Sequence, residues 1–216
     1  MKYFFLVTFI VSTVFHLYAS FISRKELRDF SKPCILLSLI GFYLFSAPEI
    51  KVAVVLALLF SWIGDIFLMF DGNKWFTIGG ISFLISHVFF IISYSEYINF
   101  NQLNVFVVIL LLCLFISAAT IIFKYLKPHL PKPLFYPMYL YLVINGLMNC
   151  FAWFRSMCTT GMASVITAIG GLLFFISDSS LFFVRFHKNS PLKTHFLVML
   201  TYSLGEFLIV LGLVLS

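Results

Sequence analysis

Charge is what this 216-residue sequence has least of: 10% of its residues are Asp, Glu, Lys or Arg, against 62% hydrophobic. A soluble domain carries about 25% charged residues to cover its surface. With a mean hydropathy of +1.08, the apolar surplus must face lipid rather than water. Cysteine is also sparse: Cys34, Cys113, Cys150 and Cys158 form no CxxC pair and sit in or beside apolar runs. That spacing gives no reason to expect metal or redox work, and small apolar packing residues are the plainer reading. The net charge is +6, yet there is no basic tail and no basic patch interleaved with aromatics, so nucleic acid is not an expected partner. Long polar loops are missing too. Nothing is left to fold separately, and residues 1–216 are expected to form one transmembrane domain.

What is present is a series of apolar runs near 3–20, 33–47, 51–70, 75–95, 103–123, 134–154, 162–184 and 194–215. A span needs about 20 mostly apolar residues, so the fold class expected is an all-α polytopic bundle of eight transmembrane helices. The second run is short and starts at Lys32-Pro33, which reads as a proline at a helix start. Ala47-Pro48, Asp71-Gly72-Asn73, Pro128 to Pro133 and Asn189-Ser190-Pro191 supply the turns. If the first loop is cytoplasmic, segments 21–32, 71–74, 124–133 and 185–193 hold 4, 1, 3 and 3 Lys/Arg, 11 in all. Lys2, Lys51 and Arg155 remain for the other side, a strong positive-inside bias that places both termini away from the cytoplasm. The cell membrane is the expected location. Lys2 before an apolar run ending in Tyr18-Ala19-Ser20 resembles a signal peptide. Cleavage there would export Arg24, Lys25, Arg28 and Lys32 against the charge rule, so an uncleaved first helix is expected.

Asp65, Asp178, Glu206, His16 and His87 fall within apolar runs. An ionisable group at the bilayer centre costs ~2.5–3.5 kcal/mol on insertion scales and commonly marks function. By helical rise, Asp65 lies roughly 8 Å and Asp178 roughly 10 Å inside the cytoplasmic end of their spans. His87, Asn145 and Glu206 come out near mid-membrane, about 15–20 Å from that side. These depths are compatible with one cavity open to the cytoplasmic leaflet, although sequence does not say which helices are neighbours. Gly64 beside Asp65 permits close helix approach, and Ser177 and Ser179 offer hydroxyls to Asp178. Asn145 and Asn149 share a helix face. His16 reads as a structural hydrogen-bonding residue, and Glu206 is balanced between helix packing and function. Gly64-Asp65-Ile66-Phe67-Leu68 and Ser177-Asp178-Ser179-Ser180-Leu181 echo each other four helices apart, the mark of a weak 4+4 parallel repeat.

Five patches in order carry a resemblance: Lys32-Pro33; Ile63-Gly64-Asp65-Ile66-Phe67-Leu68-Met69; Gly80 through His87; Gly170 through Ser179; and Met199-Leu200-Thr201-Tyr202. Together they resemble the YhhN family of membrane proteins, which includes the lysoplasmalogenases. Glu206 stands where many relatives are expected to carry a neutral polar residue. The resemblance implies an eight-helix hydrolase that cleaves the sn-1 vinyl-ether bond of lysoplasmalogens, releasing a fatty aldehyde and a glycerophospho-ethanolamine or -choline. No cofactor and no metal are implied; the partners are the lipid substrate and the bilayer.

Vinyl-ether hydrolysis needs a general acid to protonate carbon and a carboxylate to stabilise the resulting cation and activate water, a division of labour like that of glycoside hydrolysis. Asp65 and Asp178 are the expected catalytic pair, with His87 orienting one of them or relaying protons. Asn145 is expected to position water or substrate, Lys32 to meet the lipid phosphate, and Ser177, Tyr202 and Glu206 to complete the substrate site. A proton-coupled transporter is the chief rival, because buried Asp, His and Glu also suit a proton relay. An intramembrane aspartyl protease is disfavoured by Trp62, which stands where that signature has glycine. A structural or lipid-binding protein would tolerate loss of every polar residue.

Overall fold

The computed structural model describes residues 1–187 and 195–216, and its regular structure is entirely helical. Eight helices are present among the described residues: α1 (Lys2–Phe21), α2 (Lys25–Ser46), α3 (Val52–Phe67), α4 (Asn73–Ser95), α5 (Val105–Leu126), α6 (Phe135–Cys158), α7 (Met162–Phe186) and α8 (His195–Val214). Seven are long and apolar enough to cross a membrane, and the eighth, α3, is a shorter apolar helix of 16 residues. At roughly 1.5 Å per residue α3 spans about 24 Å, less than the ~30 Å hydrocarbon core. It is continued by tighter turns, Met69 N–H to Ile66 O and Phe70 N–H to Phe67 O. The chain is a polytopic helical bundle.

One boundary differs from the sequence expectation. Pro33 does not open α2 but lies within it, because the helix begins at Lys25. Residues 25–32 are mostly helix-forming and charged, so they extend α2 without registering as an apolar run. The missing N–H of Pro33 removes one bond from the helix, and Trp62 Nε1 on α3 donates to Pro33 O at 3.0 Å. The turn at Asp71-Gly72-Asn73 is as expected: Gly72 has φ +114°, a conformation glycine adopts without strain. The expected turn at Asn189-Ser190-Pro191 lies outside the described residues.

Sequential helices pair as hairpins, α1 with α2, α3 with α4, α5 with α6 and α7 with α8. Further packing of α2 on α3, α4 on α6, α6 on α7 and α8 on α1 and α2 closes a ring of α2, α3, α4, α6, α7 and α8. α5 stands outside the ring against α6. It buries only Phe115, Ala119 and Leu126, and leaves Ile109, Leu114 and Ile121 on the outer surface. Lipid tails do not drive helices together, so close contact relies on small residues and interhelical hydrogen bonds. Two hairpins show this. A Cβ on Gly64 would stand 3.1 Å from Gly79 O, and one on Gly170 would stand 2.7 Å from Gly205 O. The glycine precedes Asp65 by one residue and Asp178 by eight.

The two ends of the bundle are tied separately. Lys25 Nζ reaches Asp71 Oδ2 at 2.6 Å, joining the α1–α2 and α3–α4 ends, and the Lys25 ammonium holds the Asp71 carboxyl below the usual carboxylate range. At the opposite end Lys51 meets Glu49 and Glu96 at 3.2 and 3.3 Å.

Candidate active site

Each ring helix sends a polar side chain inward. Asp65 comes from the last turns of α3, where the Gly64–Gly79 crossing holds α3 tightly on α4. Its Oδ1 stands 3.1 Å from Lys32 Nζ of α2, and its Oδ2 accepts the Tyr202 hydroxyl of α8 at 2.8 Å. Three helices therefore converge on one carboxylate.

Asp178 on α7 has a different shell. Its Oδ2 accepts the Tyr141 hydroxyl at 2.5 Å and Asn145 Nδ2 at 2.7 Å, both from α6. Asn149, one turn on, donates to Asn145 Oδ1 at 3.2 Å; this leaves the Asn145 amide nitrogen facing Asp178. His87 Nε2 of α4 stands 3.7 Å from the same Oδ2, beyond hydrogen-bond range. Both His87 ring nitrogens are buried with no hydrogen-bond partner among the described residues. The imidazole is held by aromatic contact instead, 5.2 Å from the Tyr141 ring and 5.1 Å from that of Phe174. Phe174 also packs 5.5 Å from Tyr202, so an aromatic series links the two aspartate shells.

Both aspartates line a single cavity of about 380 Å³ whose wall also includes Lys25, Arg28, Lys32, Asp71, Arg185 and His195. It opens on the basic end of the bundle. Asp65 has a cation in contact, whereas Asp178 is surrounded by neutral donors. Arg28 and Arg185 have no carboxylate within 4.0 Å among the described residues. A second, apolar cavity of about 630 Å³ lies between α4 and α6, lined by Gly80, Ile81, Leu84, Tyr136, Leu140 and Val143 among others. Phe76 borders both cavities, and Tyr141, the donor to Asp178, borders the apolar one.

The sequence-derived residues divide accordingly. Asp65, Asp178, Lys32, Ser177 and Tyr202 all line the polar cavity. The Lys32 ammonium is engaged by Asp65, and the Ser177 hydroxyl donates to Val198 O at 2.8 Å, bonding α7 to α8. His87 and Asn145 stand directly behind Asp178. Glu206 is fully buried, and neither carboxylate oxygen has a hydrogen-bond partner among the described residues; it does not border the cavity. His16 is bonded through Nδ1 to Ser31 Oγ at 2.9 Å. Sequence reasoning missed Tyr141, although its place four residues before Asn145 was a usable signal. It also missed Arg28 and Arg185 as cavity residues.

No curated protein and no solved structure gives a match to the chain. A family model does: it spans residues 27–213, which takes in the cavity-lining residues from Arg28 to Tyr202. The chain belongs to the YhhN family.

Proposed function

We propose that the protein is a membrane-embedded lysoplasmalogenase, a hydrolase of the sn-1 vinyl-ether bond of lysoplasmalogens. The observation that carries this reading is the adjacency of two unlike cavities that share Phe76 in their walls: a polar one holding both carboxylates, and an apolar one bordered by Tyr141, the hydroxyl donor to Asp178. A single-chain lyso-ether lipid has the matching shape. Its alkenyl chain fits the α4–α6 cavity, its phosphate fits Arg28 and Arg185, and its vinyl ether falls between them.

The unlike shells assign the roles. Asp178, with neutral donors on Oδ2 and no protein partner on Oδ1 among the described residues, is the proton donor. It protonates the β-carbon of the vinyl ether, and the C=C electrons form the new C–H bond while the α-carbon becomes an oxocarbenium ion. Asp65, paired with the Lys32 ammonium at 3.1 Å, faces that cation and takes a proton from the water that attacks it. The hemiacetal then releases aldehyde and alcohol, and the proton gained by Asp65 balances the one given by Asp178. Solvent in the polar cavity carries that proton back to Asp178; Tyr141 and Asn145 fix that carboxyl, Tyr202 fixes the other, and His87 packs against the Tyr141 ring.

Carbon protonation leaves a specific mark. In deuterium oxide the purified protein is expected to release fatty aldehyde carrying one deuterium at carbon 2, and to leave the saturated alkyl analogue uncleaved. Aldehyde without that deuterium, or no aldehyde at all, contradicts the mechanism. A proton-coupled transporter is the second reading, favoured by Glu206, whose carboxylate lies fully buried beyond the cavity. Aldehyde release in detergent, where no gradient exists, argues against it.

A further inference from the structure

We propose that the end of the bundle opposite the aspartates binds a phosphate-type oxyanion between Arg155 and the first turn of α7. Arg155 follows Tyr141 on α6 by 14 residues, which places it about 21 Å along the helix from the aspartate shell. Its side chain is fully buried. One nitrogen, Nη1, donates to Thr167 Oγ1 at 3.0 Å, and the guanidinium lies 4.8 Å from the centre of the Tyr97 ring. Nε and Nη2 have no partner among the described residues. A neutral hydroxyl and one aromatic face are poor compensation for a buried cation, which ordinarily requires an opposite charge.

No carboxylate among the described residues supplies it. Glu49 and Glu96 are both taken by Lys51, and the Ser216 carboxylate, whose residue borders the same cavity, makes no ion pair with Arg155. No acidic group stands within 4.0 Å of Arg155 among the described residues. Instead Arg155 lines a cavity of about 370 Å³ together with Thr159, Thr160, Met162, Ala163 and Ser164. Three of those are the first residues of α7, a helix with Gly161 at its cap position and no side-chain cap. Its first amide N–H groups therefore lack helical acceptors, and a helix start of this kind attracts anions. A planar guanidinium with two free donors beside such a helix start matches the tetrahedral oxygens of phosphate. At the membrane interface that phosphate belongs either to a lipid headgroup or to a free ion.

Thermal melting of the full-length protein in nonionic detergent tests the proposal, with inorganic phosphate in one arm and dihexanoyl phosphatidylglycerol in the other, at constant ionic strength. A saturable rise in melting temperature is expected in at least one arm. A response to free phosphate identifies the ion, and a response to the lipid alone identifies the headgroup. The comparison is made in the Arg185→Gln background, which removes the phosphate contact proposed for the aspartate cavity; there the half-saturating concentration is expected to rise at least tenfold on adding Arg155→Gln. Thr160→Trp, an exposed change at the cavity wall, is expected to weaken binding as well and serves if Arg155→Gln does not fold. In that background, no response in either arm, or a response retained on adding both Arg155→Gln and Thr160→Trp separately, overturns the proposal.

Discussion

Asp65 and Asp178 illustrate how one residue type takes two environments. Removing the cation from Asp65 leaves a buried carboxylate unpaired, a loss that in buried ion pairs costs about 3–5 kcal/mol. Lys32→Met is therefore expected to lower stability in detergent by about 3 kcal/mol, and the double variant Lys32→Met/Asp65→Asn to recover most of it while remaining inactive. A single variant as stable as the parent would show that the 3.1 Å contact carries no weight. Tyr141→Phe keeps the ring beside His87 and removes only the hydroxyl bonded to Asp178. Its expected cost is about 1 kcal/mol in stability, with a drop of roughly tenfold in turnover, the size of a lost positioning bond. At this scale the sequence was legible in part. The depths of Asp65 and Asp178 follow from counting residues, but the Lys32–Asp65 pair joins positions 33 residues apart, and no local pattern announces it. Tyr141 was overlooked because a tyrosine in a membrane helix ordinarily reads as an interfacial anchor. Arg155 read as a loop charge because it lies near a helix end, whereas the structure buries it completely.

Among the helices, the ring of six divides the labour and α5 covers it from the lipid side. The apolar runs made all eight helices legible, since length and composition alone define a span. The start of α2 was not, because residues 25–32 are helical without being apolar. Which helices touch was also hidden: small residues mark close crossings, but Gly64 meeting Gly79 and Gly170 meeting Gly205 are pairings only coordinates reveal. Those crossings support the site. A Cβ on Gly205 would stand 2.9 Å from both Gly170 O and Phe174 N, so Gly205→Val is expected to force α8 from α7. The overpacking costs about 1–3 kcal/mol and draws Tyr202, one turn away, off Asp65, with a matching fall in activity. Gly80 is the contrast. It lines the apolar cavity and a Cβ there meets nothing within 4 Å. Gly80→Leu is expected to leave melting unchanged and to raise KM for long-chain substrates by roughly tenfold, the worth of one or two lost methylene contacts. Equal effects on short and long chains would remove the α4–α6 cavity from the chain-binding role.

For the whole molecule, the charge pattern and the cavities give one consistent account. The aspartate cavity opens on the end bearing Lys25, Arg28 and Arg185, the end that the positive-inside rule assigns to the cytoplasm. We expect lysolipid to enter from that leaflet, and a reporter fused to the C-terminus to be active only outside the cytoplasm; the reverse result would turn the bundle over. The unlike cavities, one holding the two carboxylates and one apolar, adjoin at Phe76, and that adjacency is the basis of the proposed hydrolysis. Its most direct test is aldehyde release from lysoplasmenyl-ethanolamine by purified Asp65→Asn and Asp178→Asn. Both variants are expected to stay folded and to lose at least about 100-fold in rate, the usual size of a general acid or base contribution. Full turnover by either one would contradict the account.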